Sequence, residues 1–333
     1  MKLIIQIPCF NEEGTLPETL ADLPRQVEGF DQVEWLIIDD GSTDRTVEVA
    51  QAHGVDHIVR QSHNQGLAAA FMTGLEAGLR AGADVIVNTD GDNQYDASGI
   101  PDLCRPILER RAQIVVGARP ISTIAHFSPV KRWLQKAGSW VVRKASGAPI
   151  DDAPSGFRAI ARESAIKLYV FDRYTYTLET IIQAGRLGMP IMSVPVQVND
   201  PTRESRLIRS VPQYILRSSR TILRMAILYN PMRVFAWIAG LMILPGALAF
   251  LRFLWFFVSD GGQGHVQSLI IGATLIGAGM AILMAGLAAD LIAANRVLLA
   301  DIRARLLREE LDRAQGRPLA AETVVPASRA AGL

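Results

Sequence analysis

Acidic and amide side chains are concentrated in the segment NTDGDNQYD, at residues 88–96. Asp90 and Asp92 flank Gly91, and Gln94 follows two residues after Asp92. Alternating oxygen ligands on a tight loop suit a hard cation such as Mg²⁺ or Mn²⁺. The segment contains no His or Cys, so zinc is not the expected metal. The spacing predicts a metal site formed by Asp90, Asp92 and Gln94.

The acidic segment directly follows the apolar run ADVIV, which places it at the end of a predicted strand. Basic residues elsewhere in the same domain suggest that a metal here binds a diphosphate. The metal would neutralise the charge of a leaving nucleoside diphosphate.

Short apolar runs alternate with helix-like segments over the first part of the chain. The apolar runs occupy residues 2–7, 33–38, 57–61, 83–87 and 112–119. The helix-like segments occupy residues 14–27, 44–53, 66–81 and 97–110. This alternation predicts an α/β fold with a mostly parallel sheet flanked by helices. Ligands bind beyond the carboxyl ends of such strands, where the clusters CFNE, DDGSTD, TDGDNQ and GAR all fall.

The composition limits the class of protein and its compartment. The net charge of +1 gives no indication of a nucleic-acid partner. Cys9 and Cys104 are the two cysteines among 333 residues, which indicates a reducing compartment rather than a disulfide framework. The N-terminal segment MKLIIQIPCFNEE lacks the apolar length and cleavage site of a signal peptide, so a cytoplasmic N-terminal domain is expected.

Two apolar stretches distinguish the C-terminal part of the chain. Residues 234–258 are apolar apart from Arg252, and residues 268–289 carry no charge. Each stretch is long enough to cross a bilayer, and the short gap between them predicts a hairpin. Arginines are abundant before the first stretch and after the second but not between them, so the positive-inside rule places both ends in the cytoplasm.

These patterns predict four parts. They are a catalytic α/β domain over residues 1–205, an amphipathic juxtamembrane helix over 206–231, two transmembrane helices over 232–293 (about 234–258 and 268–291), and a charged cytoplasmic helix with a disordered tail over 294–333. The juxtamembrane helix would place Arg217, Arg220 and Arg224 on one face, as in a helix lying in the membrane interface.

Six motifs follow one another in the N-terminal domain: IPCFNEE, IIDDGSTDRT, HNQG, TDGDNQ, GAR and SGFR. Together they resemble the glycosyltransferases of family 2, which have the GT-A fold. Within that family the chain resembles the polyprenyl-phosphate glycosyltransferases, the group of dolichol-phosphate mannose synthase. The motifs cover roughly residues 4–206, and the predicted membrane hairpin also fits that group.

The resemblance implies roles for the matching residues on the donor side. The residues that would line the base and ribose of the nucleotide are Pro8, Phe10, Glu12 and Asp40, with Asn11 and Asp39 in support. The metal on the diphosphate, Mg²⁺ or Mn²⁺, would be held by Asp90, Asp92 and Gln94, with Gly91 between the two carboxylates.

The resemblance also implies roles on the acceptor side. Arg119 and Arg132 would contact the leaving diphosphate or the acceptor phosphate, and the acceptor side of the sugar site would be Ser155, Gly156, Phe157 and Arg158. The family commonly has a Gly-x-Ser-Lys element before the membrane region. Here the matching stretch is RESR, with Arg203 in the Gly place and Arg206 in the Lys place. Charge is kept at Arg206, but the backbone freedom of glycine is lost.

The chemistry of the acceptor decides whether a general base is needed. A phosphate monoester has its second pKa near ~6 and is largely a dianion at neutral pH, so it needs positioning and cations. A sugar hydroxyl would need a base, for which Asp152 and Glu179 are the candidates. For both carboxylates the alternative is a structural role, such as helix capping or an ion pair with Arg158. A path for the acceptor phosphate is predicted at Arg158, Arg203, Arg206 and Arg209.

The sequence therefore predicts an inverting, metal-dependent transferase. A hexose, mannose or glucose, would move from a GDP- or UDP-sugar to a polyprenyl phosphate at the bilayer. The residues expected to carry the transfer are Asp92, Arg119, Asp152 and Arg158. Nucleic acid is not an expected partner, and a homo-oligomer is possible.

Three other functions are alternatives to this one, and each makes a different demand on the sequence. A glycosyltransferase acting on a glycolipid hydroxyl would depend on Asp152 or Glu179 rather than on the arginines. A nucleotidyltransferase would show an early glycine-rich phosphate loop, which CFNEEGT is not. A non-catalytic membrane scaffold that binds a nucleotide sugar would have no need for Asp90, Asp92 and Gln94 together.

Overall fold

The structure, a computed structural model, describes most of the N-terminal domain and two long C-terminal helices. The described residues are 1–120, 139, 142–143, 146–147, 149–170, 176–199, 219, 223–224, 227, 229–260 and 266–315. The chain divides into two compact units. The first unit comprises Met1–Ser205 and Asp301–Leu333, and the second comprises Arg206–Ala300. The predicted juxtamembrane helix lies largely outside the described residues, as does the predicted disordered end of the tail.

Seven strands in the described part of the chain form one sheet. They are β1 (Lys2–Cys9), β2 (Gln32–Asp39), β3 (His57–Arg60), β4 (Val85–Asn88), β5 (Ile114–Ala118), β6 (Arg158–Ala161) and β7 (Ile191–Pro195), in the spatial order 3-2-1-4-6-5-7. Every pair is parallel except those that β6 makes with β4 and β5. The predicted mostly parallel sheet is confirmed, and β1 lies buried inside it, between β2 and β4.

The reversed direction of β6 has a direct consequence for the site. Its first residue, Arg158, pairs with Asn88 at the carboxyl end of β4. The SGFR motif therefore reaches the same sheet edge as the acidic segment that follows β4. The GAR motif at the end of β5 lies on that edge too, because β4 and β5 are both antiparallel to β6.

Helices alternate with the strands along the chain, and two long helices follow the last strand. They are α1 (Leu16–Asp22), α2 (Thr46–Ala52), α3 (Leu67–Arg80), α4 (Ile100–Leu108), α5 (Arg162–Lys167), α6 (Thr177–Arg186), α7 (Pro231–Asp260) and α8 (Val266–Ala314). The first is shorter than predicted, because Leu23 precedes a proline and adopts an extended conformation. The last is one continuous helix, whereas the sequence predicted a transmembrane helix and a separate charged helix.

Both C-terminal helices are long and apolar enough to cross a membrane. The candidate spans are Pro231–Ser259 and Val266–Ala314, which contain 18-residue windows with mean hydropathies of 2.2 and 2.1, respectively. A core helix of a soluble protein would bury its apolar side chains. Here large ones are exposed, including Trp237 at 75% and Trp255 at 73%. Such exposure is expected of side chains that face lipid.

Glycines allow α7 and α8 to approach closely. Gly272, Gly279 and Gly286 recur every seven residues on α8. A Cβ added at any of the three would meet α7. At Gly272 it would lie 3.1 Å from the backbone N of Phe250, and at Gly279 it would lie 3.2 Å from the carbonyl O of Ala239. At Gly286 it would meet the side chain of Phe235. Small residues at such crossings let helix backbones pack in a membrane, where no hydrophobic force drives them together.

Gly279→Ala should therefore destabilise the helix pair by ~1–3 kcal/mol, the usual cost of overpacking a tight contact. Its Cβ would also collide with the side chain of Ile243. Gly277→Ala is the matched control, because a Cβ there has nothing within 4 Å. Thermal unfolding in detergent would measure both. Equal midpoints for the two variants would contradict the packing described here.

Candidate active site

The loops after β1 and β2 are tied together at the carboxyl edge of the sheet. The backbone N–H of Asn11 donates to Ser42 Oγ at 2.9 Å, and the N–H of Thr43 donates to Asn11 Oδ1 at 2.8 Å. Asp39 is fully buried, and its Oδ1 accepts from the N–H of Ser42 at 2.9 Å. These contacts suit the supporting role predicted for Asn11 and Asp39 in a nucleotide pocket.

Asp40 organises the HNQG loop. Its carboxylate oxygens accept the backbone N–H groups of Gln65 at 2.7 Å and Gly66 at 2.9 Å. Burial raises the pKa of Asp40 above its usual value although these two hydrogen bonds oppose the rise. The neighbouring Gly41 has φ +74°, and a Cβ there would lie 2.8 Å from the backbone N of Asn64. The β2 loop and the HNQG loop are therefore joined into one continuous surface.

The remaining residues predicted for the nucleotide lie beside this surface. Pro8 is buried in β1, whereas Phe10 is 37% exposed at the end of the strand. Thr15 Oγ1 lies 2.8 Å from Glu12 Oε2 and 2.9 Å from the carbonyl O of Gly91. Glu12 therefore borders both the predicted nucleotide pocket and the acidic segment.

Two carboxylates crowd together in the acidic segment. Burial and then the charge of Asp92 raise the pKa of Asp90 to about 7. The positive charges of Arg119 and Arg158 oppose this rise without cancelling it. Gln94 is partly exposed in the same loop, and its N–H lies 3.3 Å from Asp92 Oδ1.

This donor set fits a divalent cation. A cation beside Asp90 and Asp92 would relieve their repulsion and favour the ionised form of both. No group of three His, Cys, Asp or Glu side chains suitable for a metal occurs among the residues the structure describes. Two carboxylates and one amide would leave coordination positions for diphosphate oxygens, as is usual for Mg²⁺ in phosphate-handling sites.

Gly156 is held against Asp90 by three side chains. Its N–H donates to Tyr95 Oη at 3.0 Å, and its carbonyl O accepts from Asn88 Nδ2 at 2.9 Å. Asn88 Nδ2 also donates to Tyr176 Oη at 2.9 Å. A Cβ at position 156 would lie 3.1 Å from Asp90 Oδ1, so the glycine lets backbone and carboxylate come close. Sequence reasoning missed Asn88, Tyr95 and Tyr176.

Arg119 and Asp152 form a bidentate, buried ion pair. Arg119 Nε lies 2.6 Å from Asp152 Oδ2, and Nη2 lies 3.1 Å from Oδ1. Their side chains are 9% and 0% exposed. The suggested ion pair between Asp152 and Arg158 is wrong: Asp152 pairs with Arg119, because the GAR end of β5 meets the loop before β6.

Arg158 is fully buried behind the loop that contains Ser155 and Gly156. Its guanidinium donates to the carbonyl O of Ser155 at 2.8 Å, to the carbonyl O of Ala153 at 2.9 Å, and to Thr180 Oγ1. Two of these hydrogen bonds fix the backbone of the loop that precedes β6. Contact between Arg158 and an acceptor phosphate stays a prediction.

The other predicted site residues divide into two groups. Ser155 and Glu179 are described and fully buried, the latter on α6. Four predicted arginines lie outside the described residues: Arg132, Arg203, Arg206 and Arg209. Their roles stay predictions.

The chain is similar to known glycosyltransferases in sequence. The family model of Glycosyl transferase family 2 matches residues 4–168. An uncharacterized glycosyltransferase of Mycobacterium bovis is 31% identical over 201 residues, covering 60% of this chain and 85% of the relative. An undecaprenyl-phosphate mannosyltransferase of Micrococcus luteus is 29% identical over 206 residues, covering 59% of this chain and 83% of the relative.

A solved structure shares the fold. It is glucosyl-3-phosphoglycerate synthase of Mycobacterium tuberculosis in complex with Mn²⁺, UDP and phosphoglyceric acid, with a TM-score of 0.53 and 22% identity over 68% of this chain and 77% of that chain. The expected GT-A architecture is confirmed by this likeness and by the sheet order. Because sequence relatives, motifs and fold agree over the same N-terminal stretch, the chain belongs to glycosyltransferase family 2.

Proposed function

We propose that this protein transfers a hexose, with inversion, from a nucleotide diphosphate sugar to a polyprenyl phosphate at the cytoplasmic face of a membrane. One observation carries the choice of acceptor. The chain that contains this sugar-transfer domain also contains two helices whose large apolar side chains are exposed. A lipid-linked acceptor places its phosphate at the bilayer surface, where such a protein would be anchored. The name of the Micrococcus luteus relative supports the same acceptor class.

On the donor side, the base and ribose of a GDP- or UDP-sugar would occupy the surface bordered by Phe10, Asn11 and Asp40. Asp90, Asp92 and Gln94 would hold Mg²⁺ or Mn²⁺ on the diphosphate. The metal supplies charge neutralisation for the leaving nucleoside diphosphate. Burial, and then the charge of Asp92, raise the pKa of Asp90 to about 7, and a cation would offset both effects, which supports this assignment.

On the acceptor side, positive charge is expected to replace a general base. Arg119 is preoriented by Asp152 through two hydrogen bonds at 2.6 and 3.1 Å. Both oxygens of Asp152 are engaged by that arginine, so this carboxylate is poorly placed to accept a proton from a substrate hydroxyl. A phosphate dianion needs no base and would attack the anomeric carbon directly, which implies inversion in one displacement.

The membrane arrangement completes the proposal. The helices α7 and α8 would span the bilayer with the catalytic domain and both termini in the cytoplasm. Arg203, Arg206 and Arg209 would lead the acceptor phosphate to the sugar, as the sequence predicts. Their charge would also attract anionic lipid headgroups.

A transfer assay on the purified full chain in detergent tests the proposal. Labelled GDP-mannose, UDP-glucose and UDP-N-acetylglucosamine are each offered with Mn²⁺ and undecaprenyl phosphate. Asp92→Asn should lower the rate on the order of 100-fold, the scale of losing one charge-stabilising group. Asp102→Asn is the matched control, since Asp102 is exposed on α4 and pairs with Arg105 at 2.9 Å. Equal rates for the two variants would refute the metal assignment.

A further inference from the structure

The segment that contains the proposed metal ligands is closed at both ends on a single glycine. Asn88 precedes the ligands and Tyr95 follows them, and we call residues 88–95 the metal loop. Asn88 Nδ2 donates to the carbonyl O of Gly156 at 2.9 Å, and the N–H of Gly156 donates to Tyr95 Oη at 3.0 Å. All three residues are buried. Gly156 therefore joins the two ends of the metal loop through its own backbone.

Both side chains that hold Gly156 are fixed by the core of the domain. Asn88 is the last residue of β4, and its Oδ1 accepts from Gln6 Nε2 of β1 at 2.8 Å. The ring of Tyr95 is stacked on that of Phe157, with 5.1 Å between the centroids. Phe157 is fully buried, so the ring of Tyr95 has a firm support. The Tyr95 hydroxyl is thus placed by ring packing as well as by the backbone of the metal loop.

The middle of the metal loop has a separate support. Asn199 Nδ2 donates to the carbonyl O of Asn93 at 3.0 Å, and the backbone N–H of Asn199 donates to the carbonyl O of Gln94 at 3.0 Å. These contacts come from the chain after β7 and do not involve Gly156. The link through Gly156 can therefore be removed while the support from Asn199 is kept.

Gly156 also belongs to a second loop, residues 153–157, on the predicted acceptor side. The N–H of the preceding Ser155 donates to the carbonyl O of Asp152 at 3.2 Å. The carboxylate of Asp152 in turn holds Arg119 through two hydrogen bonds. A change in the metal loop would therefore act on Gly156 directly and on Arg119 through Ser155 and Asp152.

We propose that Tyr95 is a positioning residue that couples metal binding to the order of residues 153–157. A cation bound by the acidic segment restrains the metal loop, and the Tyr95 hydroxyl passes that restraint to the N–H of Gly156. Such coupling is reciprocal, so closure of the metal loop on Gly156 also strengthens metal binding. The inference rests on the proposed function, because it takes the acidic segment as the metal site.

Hydrogen–deuterium exchange on the full chain in detergent tests the coupling in the wild type. Peptides that cover residues 153–157 are followed without ligand, with Mn²⁺ and UDP, and with Mn²⁺ and GDP. None of these residues is a proposed metal ligand, and neither nucleotide has a hexose. One of the two mixtures should slow exchange in these peptides about fivefold or more, the usual size of coupling between two sites. Unchanged exchange overturns the proposal, and this arm needs no substitution.

Tyr95→Phe locates the effect, because it removes the hydroxyl and keeps the ring that stacks on Phe157. The buried N–H of Gly156 loses its acceptor, which is costly. Mn²⁺ affinity, measured by the electron paramagnetic resonance signal of free Mn²⁺, should fall on the order of tenfold. At saturating Mn²⁺ the slowed exchange of residues 153–157 should be lost. Tyr169→Phe is the matched control, at a partly buried tyrosine after α5, and should keep both properties.

A merely structural role for Tyr95 would give a different result. The thermal unfolding midpoint of Tyr95→Phe would fall, whereas the folded variant would keep wild-type Mn²⁺ affinity and the slowed exchange of residues 153–157. That result overturns the proposal. Should Tyr95→Phe not fold, exchange in the wild type decides alone.

The outcome is separate from that of the transfer assay. Failure of sugar transfer, with a metal effect on residues 153–157 that depends on Tyr95, would support the coupling and count against the proposed reaction. Normal transfer without any metal effect on these residues would do the reverse.

Discussion

Asp152→Asn should destabilise the catalytic unit by about 3–5 kcal/mol, because it leaves a buried arginine without its counter-charge. The carboxylate is fully buried and accepts two side-chain hydrogen bonds from Arg119. It also lies 3.3 Å from the backbone N–H of Arg119, so the carboxylate anchors the GAR end of β5 as well as the guanidinium. Removing the charge should loosen this end of the strand.

Chemical unfolding in detergent measures this effect, with Asp151→Asn as the matched control. Asp151 is the adjacent residue, with a side chain that is 71% exposed and 3.6 Å from Arg143. Exposed pairs of this kind contribute about 0–1 kcal/mol. If Asp152 instead served as a general base for a hydroxyl acceptor, Asp152→Asn would stop turnover and leave the unfolding free energy unchanged. That result would contradict the present account.

Gly156→Ala should weaken Mn²⁺ binding by on the order of tenfold or more, the range found when supporting contacts of a metal site are lost. The new Cβ would lie 3.1 and 3.2 Å from the two carboxylate oxygens of Asp90 and 3.0 Å from Tyr176 Oη. Tyr176 is buried and stacked on Phe71 with 3.8 Å between the ring centroids, so it cannot retreat easily. Asp90 is the group that must move.

Gly14→Ala is the control for this substitution, because a Cβ at Gly14 meets nothing within 4 Å. Both variants are titrated with Mn²⁺ in the presence of UDP or GDP, and thermal unfolding is recorded alongside. Gly156→Ala should lose metal affinity while retaining a cooperative unfolding transition. Wild-type affinity in that variant would show that Asp90 does not depend on the close approach of residue 156.

The meeting of the polar clusters at one edge of the sheet was predictable from the sequence, because it follows from sheet geometry. Parallel strands bring their carboxyl ends to one edge, so the clusters that follow β1, β2 and β4 meet without any knowledge of tertiary contacts. The two apolar helices were equally predictable, since their length and composition are local properties. The exact ends of α1 and the continuity of α8 were not, because helix ends depend on neighbouring contacts.

The supporting network around the acidic segment could not be read from the sequence. Gly156 and Asn88 are 68 residues apart, Tyr176 and Asn88 are 88 apart, and Asn199 and Asn93 are 106 apart. These partners meet only because β6 runs antiparallel and because the chain after β7 returns to the metal loop. No local pattern of spacing or polarity marks such residues. The pairing of Asp152 with Arg119 rather than Arg158 has the same origin.

The central claim is that the acceptor is a phosphate rather than a hydroxyl. It is tested most directly by offering undecaprenyl phosphate and undecaprenol in identical micelles, with Mn²⁺ and the active donor, and by following label that enters the organic phase. The account predicts a product from undecaprenyl phosphate that mild acid cleaves, with no product from undecaprenol. Transfer to undecaprenol, or to an added glycolipid, without transfer to undecaprenyl phosphate would contradict it.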